Sequence, residues 1–132
     1  MEFYKYHSLG NDYLVYDIRK NQEDLDREKI IRICSRNFGI GSDGIVAGPY
    51  EKEGEMLVRV FNPDGTEAEQ GGNALRIFAH YLKINGDIQK EAFSLCTKSG
   101  ISQIRYLNRE GNRIQMTMGK IDFSSKRLGL SG

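Results

Sequence analysis

The segment from residue 73 to residue 84 predicts a helix that is apolar over most of its surface. Its polar side chains recur at three- and four-residue steps and form one narrow stripe, which consists of Asn73, Arg76, His80 and Lys83. A helix of this kind has to be buried on most sides. Asn85-Gly86 follows as a stop signal, because glycine readily adopts the left-handed conformation that ends many helices. The rest of the chain is therefore expected to surround this helix.

The residues at the start of the helix, Gly71-Gly72-Asn73, indicate a possible anion site. Backbone N–H groups are left free at the positive end of the helix dipole, and the glycines carry no side chain that blocks approach. Such an end suits a carboxylate or a phosphate. Two glycines alone favour a simpler interpretation, a tight start to a core helix. The asparagines that bracket the preceding loop, Asn62 and Asn73, shift the balance towards a binding site.

Composition and charge fit one domain without a polyanionic or membrane partner. The chain has 132 residues, a length that suits one domain with one core. Its formal net charge is +1, so it lacks the excess of basic residues that would indicate nucleic-acid binding. The N-terminus lacks the basic-then-apolar pattern of a signal peptide, and no apolar run is long enough to span a bilayer. Two cysteines form no disulfide framework, and His7 and His80 are too scattered for a metal cluster. We expect a cytoplasmic protein with no metal site.

The remaining periodicities predict an α+β fold. Strands are predicted at residues 2–6, 13–18, 45–50, 55–61, 92–97, 101–107 and 113–118, and a first helix at residues 27–37, capped by Asp24 or Asp26. We place Ile30, Ile31, Ile33 and Cys34 on one face of that helix. The expected architecture is a curved, mainly antiparallel sheet wrapped around the central apolar helix at about residues 73–84, with the other helix outside. Residues 1–120 form this domain, and residues 121–132 are interpreted as a linker or loose end.

Three clusters rich in glycine, asparagine and aspartate interrupt the strands, at residues 9–12, 39–44 and 62–73. Each cluster alone is explained by turn chemistry. The second cluster lacks the Gly-Lys-Ser/Thr of a P-loop, and it follows a helix and precedes a strand, which is the wrong order for a dinucleotide site. Taken together and in order, the clusters resemble the N-terminal half of the diaminopimelate epimerase family. The matching pieces are residues 3–13, 38–44, 61–69 and 72–79, with weaker matches at residues 97–100 and 116–119.

The resemblance implies a cofactor-independent racemase with two similar domains, each a sheet curled around a central helix, and a site in the cleft between them. Enzymes of the family convert LL-diaminopimelate to the meso form, in lysine and cell-wall synthesis. One cysteine thiolate removes the α-proton while a second cysteine, from the other domain, donates a proton from the opposite face. By this resemblance Asn11 and Asn62 match the substrate-binding asparagines, and Gly72 and Asn73 match the residues that hold the carboxylate. Gly44 stands where some members place a substrate-contacting glutamine.

The chain departs from the family pattern at two points. Gly71 stands where the first catalytic cysteine should precede Gly72-Asn73, and glycine cannot move a proton. We expect the second domain to lie outside this sequence, which stops near where that domain should begin. Cys34 and Cys96 are interpreted as packing residues, because neither is placed at a helix N-terminus where a thiolate is stabilised. His7 is assigned either to support of the site or to the surface, and His80 to a structural role.

Three hypotheses follow. The favoured one is the N-terminal half of an epimerase, inactive alone, whose substrate is diaminopimelate and whose partner is the missing domain. The second is a non-catalytic module of the same fold that binds an amino acid or a protein. The third is a related isomerase that uses carboxylates as acid and base, the candidates being Asp12, Asp43 and Glu69. Because the face towards the missing domain would be exposed, we also expect self-association.

Overall fold

The computed structural model describes residues 1–8, 10–37, 39–68 and 71–120, and it confirms the predicted α+β class. The elements, in chain order, are β1 (Tyr4–Ser8), β2 (Asn11–Asp17), α1 (Arg27–Cys34), β3 (Ile45–Lys52), β4 (Glu55–Phe61), α2 (Gly72–Ile84), β5 (Ala92–Thr97), β6 (Gly100–Tyr106) and β7 (Ile114–Lys120). The segment 121–132, interpreted as a linker, lies outside the described residues. Neither helix is long and apolar enough to cross a membrane.

All seven strands form one sheet whose spatial order is the sequence order. The β2–β3 and β4–β5 pairs are parallel, and the other four pairs are antiparallel. Parallel neighbours need a long crossover, which is usually helical. Here α1 makes the first crossover and α2 makes the second. The sheet is therefore mainly antiparallel, as predicted. Each of its two parallel strand pairs is connected by one of the two helices.

Helix α2 packs against the concave face of the sheet. Its buried side chains share one core cluster with residues of the six strands β2–β7. The strand residues of this cluster are Val15, Val46, Val58, Val60, Leu95, Ile104, Tyr106 and Ile114. Phe78 is 0% exposed. The backbone N–H groups of Gly86 and Asp87 bond to the carbonyls of Lys83 and Leu82, and Gly86 has a φ of 82°, so the predicted helix stop is confirmed. Ile84, the last residue of the helix, is 61% exposed and so differs from the buried apolar residues of α2.

Helix α1 covers the opposite face of the sheet. Alternate residues of a strand point to opposite faces, so Leu14 and Tyr16 meet Ile30 and Cys34 of α1, whereas Val15 faces α2. Asp26 caps the helix by accepting a hydrogen bond from the Lys29 N–H at 2.8 Å, as predicted.

The predicted extent of α1 is wrong at its C-terminal end. The helix ends at Cys34 instead of residue 37, because the N–H groups of Gly41 and Ser42 bond to the carbonyls of Ile33 and Cys34. Hydrogen bonds from the following loop thus occupy the carbonyl groups that the N–H groups of a further helical turn would bind. Ile31 is 44% exposed and does not lie on the packed face.

The first hairpin also differs from the prediction. Strand β1 runs to Ser8, which pairs with Asn11 at the start of β2, so His7 lies in a strand and not in a loop. Gly10 has a φ of +85°, which permits the tight turn between the two strands. As a result Asn11 is held in the regular hydrogen-bonded sheet.

A buried carboxylate fixes the C-terminal half of α2 to the end of β2. Asp17 is 0% exposed, and it accepts hydrogen bonds from Tyr81 at 2.5 Å and from both Nε and Nη2 of Arg19. Burial alone would raise the pKa of Asp17, but the hydrogen bonds from Arg19 and Tyr81 outweigh it and hold the pKa below its usual range.

We predict that Phe78→Ala lowers the free energy of unfolding by about 3–5 kcal/mol, because it leaves a cavity at the centre of the core. Urea denaturation followed by circular dichroism measures the change. Ile84→Ala, in the same helix, is the matched control and should change stability by less than about 1 kcal/mol. Equal losses in the two variants would contradict the burial of α2 within the sheet.

The low pKa of Asp17 predicts a specific dependence of stability on pH. Since the folded-state pKa lies below the unfolded value of about 3.9, the stabilisation is present above about pH 4 and is lost as the pH falls through the folded-state pKa. Asp17→Asn should lower the free energy of unfolding at pH 7 by about 2 kcal/mol and should reduce its fall below pH 4. Urea titrations at a series of pH values test this, with the exposed Asp24→Asn as the control. An unchanged acid limb in Asp17→Asn would contradict it.

Candidate functional site

The N-terminus of α2 carries no side-chain cap among the described residues. Gly71 is the N-cap residue, and its carbonyl accepts the first helical hydrogen bond, from Leu75 N–H at 2.8 Å. No acidic residue lies in the first turn. The first N–H groups of an α-helix have no partner within the helix, and together with the dipole they favour an anion. The end of α2 therefore has the chemistry of a small carboxylate site.

Gly71 is packed directly on β4. A Cβ atom built on Gly71 would lie 3.0 Å from Cγ2 and 3.2 Å from Cγ1 of Val60, which is 4% exposed. Ala68, three residues earlier in the chain, is tied to the same strand, because its N–H donates to the Val60 carbonyl at 2.7 Å. The next residue, Gly72, is roomier, with Met116 Cε of β7 at 3.4 Å from its hypothetical Cβ. A side chain at position 71 thus requires Val60 to shift, whereas one at position 72 does not.

The structure brings two of the predicted site residues into direct contact. Asn73 Nδ2, at the start of α2, donates a hydrogen bond to Asn11 Oδ1, at the start of β2, at 2.7 Å. The two residues are 62 positions apart in the sequence, and the curl of the sheet around the helix makes them neighbours. The contact joins the first and third Gly/Asn/Asp clusters.

The second cluster joins them through Asp43. Its carboxylate accepts hydrogen bonds from the backbone N–H of Asp12 at 2.8 Å and from Arg36 Nη2 at 3.1 Å. The Asp12 N–H chiefly, helped by Asn11 and Arg36, holds the pKa of Asp43 below its usual range despite partial burial. The three clusters therefore form one hydrogen-bonded unit beside the start of α2.

Asn62 lies at the same end of the sheet but is engaged in its own turn. In the sheet register Leu14 pairs with Ile45 and Ile45 with Phe61, so Asn62 follows the strand end nearest the site. Its Nδ2 donates to Thr66 Oγ1 at 3.0 Å, and its backbone N–H donates to the Thr66 carbonyl. Among the described residues no hydrogen bond joins Asn62 to Asn11 or Asn73.

Gly44 is confined to glycine by its neighbours. A Cβ atom there would lie 2.6 Å from the Phe61 carbonyl oxygen and 2.7 Å from Cε1 of Tyr13. Some members of the family that this sequence resembles have a glutamine at this position. A glutamine here would therefore require a local rearrangement of this chain.

The two cysteines lie in the core, as the sequence predicted. Cys34 accepts a hydrogen bond from Ser42 Oγ at 3.3 Å, and burial raises the pKa of its thiol. Cys96 lies on β5, where burial and then the nearby Glu55 carboxylate raise the pKa of its thiol. Raised pKa values disfavour the reactive thiolate, so neither residue resembles an activated nucleophile.

Two of the three carboxylates considered as acid or base can be placed. Asp12 pairs with His7 at 2.7 Å, and by strand alternation it points to the opposite face of β2 from Asn11. Asp43 lies beside Asn11, but its oxygens are occupied by hydrogen-bond donors. Glu69 lies outside the described residues. Within those residues no group of three potential ligands could hold a metal ion.

The polar stripe of α2 lies between the two edge strands of the sheet. Arg76 donates to the Ile114 carbonyl of β7 at 2.6 Å, and His80 packs edge-on against the Tyr6 ring of β1 at 5.7 Å. Burial lowers the pKa of His80. These residues line a cleft of about 560 Å³. Their contacts give His80 the structural role expected from the sequence.

Sequence reasoning missed Arg36 and Met116 as neighbours of the site. Arg36 reaches Asp43 from the turn after α1, and a single arginine at a helix end carries no pattern that marks it. Met116 was within a weakly matching segment, but only the curl of the sheet places it beside Gly72.

Comparisons with known proteins show that the chain is similar to diaminopimelate epimerases. A family model described as diaminopimelate epimerase matches residues 3–124. A relative from Nostoc sp. (strain PCC 7120 / SAG 25.82 / UTEX 2576), named Diaminopimelate epimerase 2, is 47% identical over 133 residues, covering 100% of this chain and 46% of the relative. Diaminopimelate epimerase of Halothermothrix orenii is 37% identical, covering 97% of this chain and 46% of the relative. The chain spans about half the length of these curated relatives.

Solved structures share the fold at low sequence identity. A phenazine biosynthesis protein of the PhzF family from Bacillus anthracis has a TM-score of 0.60 and 19% identity, over 88% of this chain and 38% of that one. The PhzF-family protein from Enterococcus faecalis has a TM-score of 0.57 and 17% identity, over 78% of this chain and 39% of that one. Since the family model extends over nearly the whole sequence, the chain belongs to the diaminopimelate epimerase family.

Proposed function

We propose that this chain forms the carboxylate-holding half of a diaminopimelate epimerase site. The observation that carries the proposal is the N-terminus of α2, which has no side-chain cap and no acidic residue in its first turn, and whose first residue after the cap, Gly72, carries no side chain. The backbone N–H groups there stabilise the α-carboxylate and the negative charge that develops beside it when the α-proton leaves. Asn11 and Asn73 border this end of the helix.

The reaction that fits is inversion at the α-carbon of LL-diaminopimelate to the meso form, without a cofactor. One group removes the α-proton from one face, and a second group returns a proton to the other face. This chain binds and orients the substrate, and both proton-transfer groups have to come from outside the described core. We therefore propose that turnover requires a second domain, that the chain alone is inactive, and that the enzyme serves lysine biosynthesis in the cytoplasm.

Self-association of the chain stays a prediction, testable by sedimentation velocity.

A non-catalytic binding module is the second candidate. The packing of Gly71 against Val60 favours it, because a Cβ atom at position 71 would lie 3.0 Å from Val60 Cγ2, so that a thiol there requires Val60 to shift. Such a module keeps the anion site and lacks proton transfer. The isomerase with carboxylate acid and base fits the structure less well, since Asp12 points away from Asn11 and the Asp43 carboxylate is held by the Asp12 N–H and by Arg36.

The Gly71–Val60 contact predicts a coupling between the two positions. Gly71→Ala should lower the free energy of unfolding by about 1–3 kcal/mol through overpacking. In a Val60→Ala background the same change should be less costly, with a coupling energy of about 0.5–3 kcal/mol in a double-mutant cycle. Gly72→Ala, one residue along, is the control and should be neutral or stabilising, because the position is roomier and alanine favours helix. Strict additivity of the two changes would show that the contact is not restrictive.

The experiment that tests the proposed function measures α-hydrogen exchange. The chain is joined, in one chimeric polypeptide, to the part of the Nostoc relative outside the matched stretch, and is incubated with LL-diaminopimelate in deuterated water. Gly71→Cys should raise deuterium incorporation at the α-carbon by about a hundredfold or more over the unmodified chimera, since a positioned acid–base group contributes at least that much. The helix N-terminus also lowers the pKa of a thiol.

Gly71→Ser is the matched control for that experiment. It has nearly the same size and the same contact with Val60, but its hydroxyl is a far weaker acid than a thiol. Equal exchange in the cysteine and serine variants would reject the epimerase geometry. Binding of diaminopimelate without exchange in every variant would favour the non-catalytic module.

A further inference from the structure

We propose that Thr66 and Asp64 are positioning residues that fix the side-chain amide of Asn62 so that its oxygen, and not its NH₂ group, is offered to a ligand. This end of the sheet then selects a ligand that carries an ammonium group. The inference rests on the proposed function, because it assigns the two residues to recognition of the same substrate.

The Asp64 carboxylate sets the direction of the Thr66 hydroxyl. Asp64 Oδ1 accepts hydrogen bonds from the Thr66 hydroxyl at 2.5 Å and from the Thr66 N–H at 2.9 Å. The hydroxyl first and the N–H second hold the pKa of Asp64 below its usual range, so the carboxylate is ionised at neutral pH. An ionised carboxylate only accepts hydrogen bonds, and a hydroxyl group has a single hydrogen. The Thr66 hydroxyl therefore gives its hydrogen to Asp64 and keeps only the capacity to accept.

The remaining capacity of the Thr66 hydroxyl sets the orientation of the Asn62 amide. Asn62 Nδ2 donates to Thr66 Oγ1 at 3.0 Å. A rotated amide would bring the Asn62 oxygen against the Thr66 oxygen with no hydrogen between them. The NH₂ group is therefore held at Thr66, and the Asn62 oxygen is the end left for a ligand. Among the described residues this oxygen accepts no hydrogen bond.

The backbone of the turn that carries Asn62 is held as well. Asn62 N–H donates to the Thr66 carbonyl at 2.8 Å, and Gly65 N–H donates to the Asn62 carbonyl at 2.9 Å. Gly65 has a φ of +86°, and a Cβ atom there would lie 3.0 Å from the carbonyl oxygen of Arg27, the first residue of α1. The turn thus packs directly on α1, which leaves the Asn62 side chain little freedom to move with its backbone.

Asn62 is placed to act together with the start of α2. It is exposed, and it is the second residue after Val60, which lies beneath Gly71. Alternate residues of a strand share a face, so continued alternation directs position 62 to the α2 side of the sheet. The helix start offers backbone donors for a carboxylate, and Asn62 offers an acceptor for an ammonium group. The substrate proposed for this site carries both groups.

The test compares two ligands in the 132-residue chain. LL-diaminopimelate and pimelate are the same dicarboxylate with and without amino groups, and their dissociation constants are measured by titration with NMR detection. The wild-type chain should prefer diaminopimelate by about tenfold, the size expected from one hydrogen bond to a charged group. Thr66→Val keeps the shape of the side chain but removes the hydroxyl. The preference should fall below about threefold, because only a fraction of the molecules then offers the Asn62 oxygen.

Thr66→Ser is the matched control, because it keeps the hydroxyl, and it should retain the wild-type preference within about twofold. Asp64→Ala is a second variant for the case that Thr66→Val does not fold. It frees the hydroxyl hydrogen, which can then bind the Asn62 oxygen, so it should also reduce the preference. A folded Thr66→Val chain that keeps the wild-type preference would overturn the proposal.

A double-mutant cycle distinguishes positioning from a general disturbance of the turn. If Thr66 acts through Asn62, its effect has to vanish when that amide is missing. In an Asn62→Ala background, Thr66→Val should therefore leave the ratio of the two dissociation constants unchanged within about twofold. A loss of preference that persists in this background would contradict the positioning role.

A measurement without ligand separates this proposal from the proposed function. The side-chain NH₂ resonances of Asn62 are compared among the wild-type chain, Thr66→Val and Thr66→Ser. If neither ligand binds the wild-type chain, the carboxylate site is rejected, and NH₂ resonances displaced in Thr66→Val but not in Thr66→Ser still support the fixed amide. Unchanged resonances in Thr66→Val would overturn the positioning role whether or not a ligand binds.

Discussion

The burial of helix α2 within a curled sheet is the constraint on which the rest of the structure depends. Six strands contribute to the core cluster around this helix. The hydrophobic effect holds the helix there without direction, and specific contacts then fix its position along its axis. At its C-terminal half Tyr81 bonds to the buried Asp17, and at its N-terminus Asn73 bonds to Asn11. Because both partners lie on β2, this strand aligns the helix at its two ends.

The same arrangement explains why the candidate site lies where it does. The helix supplies the partial positive charge, and the sheet edge supplies the side chains that border it. Asn11 begins β2, Asp43 precedes β3 and Asn62 follows β4, so residues distant in the sequence reach one end of the sheet. Gly71 shows the limit of the arrangement. Position 71 is close to the helix terminus, which favours an acid–base group there. The same position is packed against Val60.

Much of the fold could be predicted from local sequence signals. Helix α2 was predicted to within one residue at its start, because its apolar surface and the Asn85-Gly86 stop are both local. The end of α1 was not, since the hydrogen bonds from Gly41 and Ser42 that terminate it are tertiary contacts. The prediction of Asn11 as a site residue came from the family resemblance, whereas Asn73 was also indicated by its place at the glycine-rich start of the helix. Their mutual hydrogen bond depends on the curl of the sheet. Arg36 carries no sequence signal at all.

The most direct test of the central claim is a map of backbone amide shifts in the chain during titration with LL-diaminopimelate. If the start of α2 holds a carboxylate, the largest shifts will occur at the N–H groups of Gly72, Asn73 and Ala74, which the ligand would contact. Shifts confined to other surfaces, or no shifts at millimolar ligand, would contradict the assignment of this helix end as the substrate site.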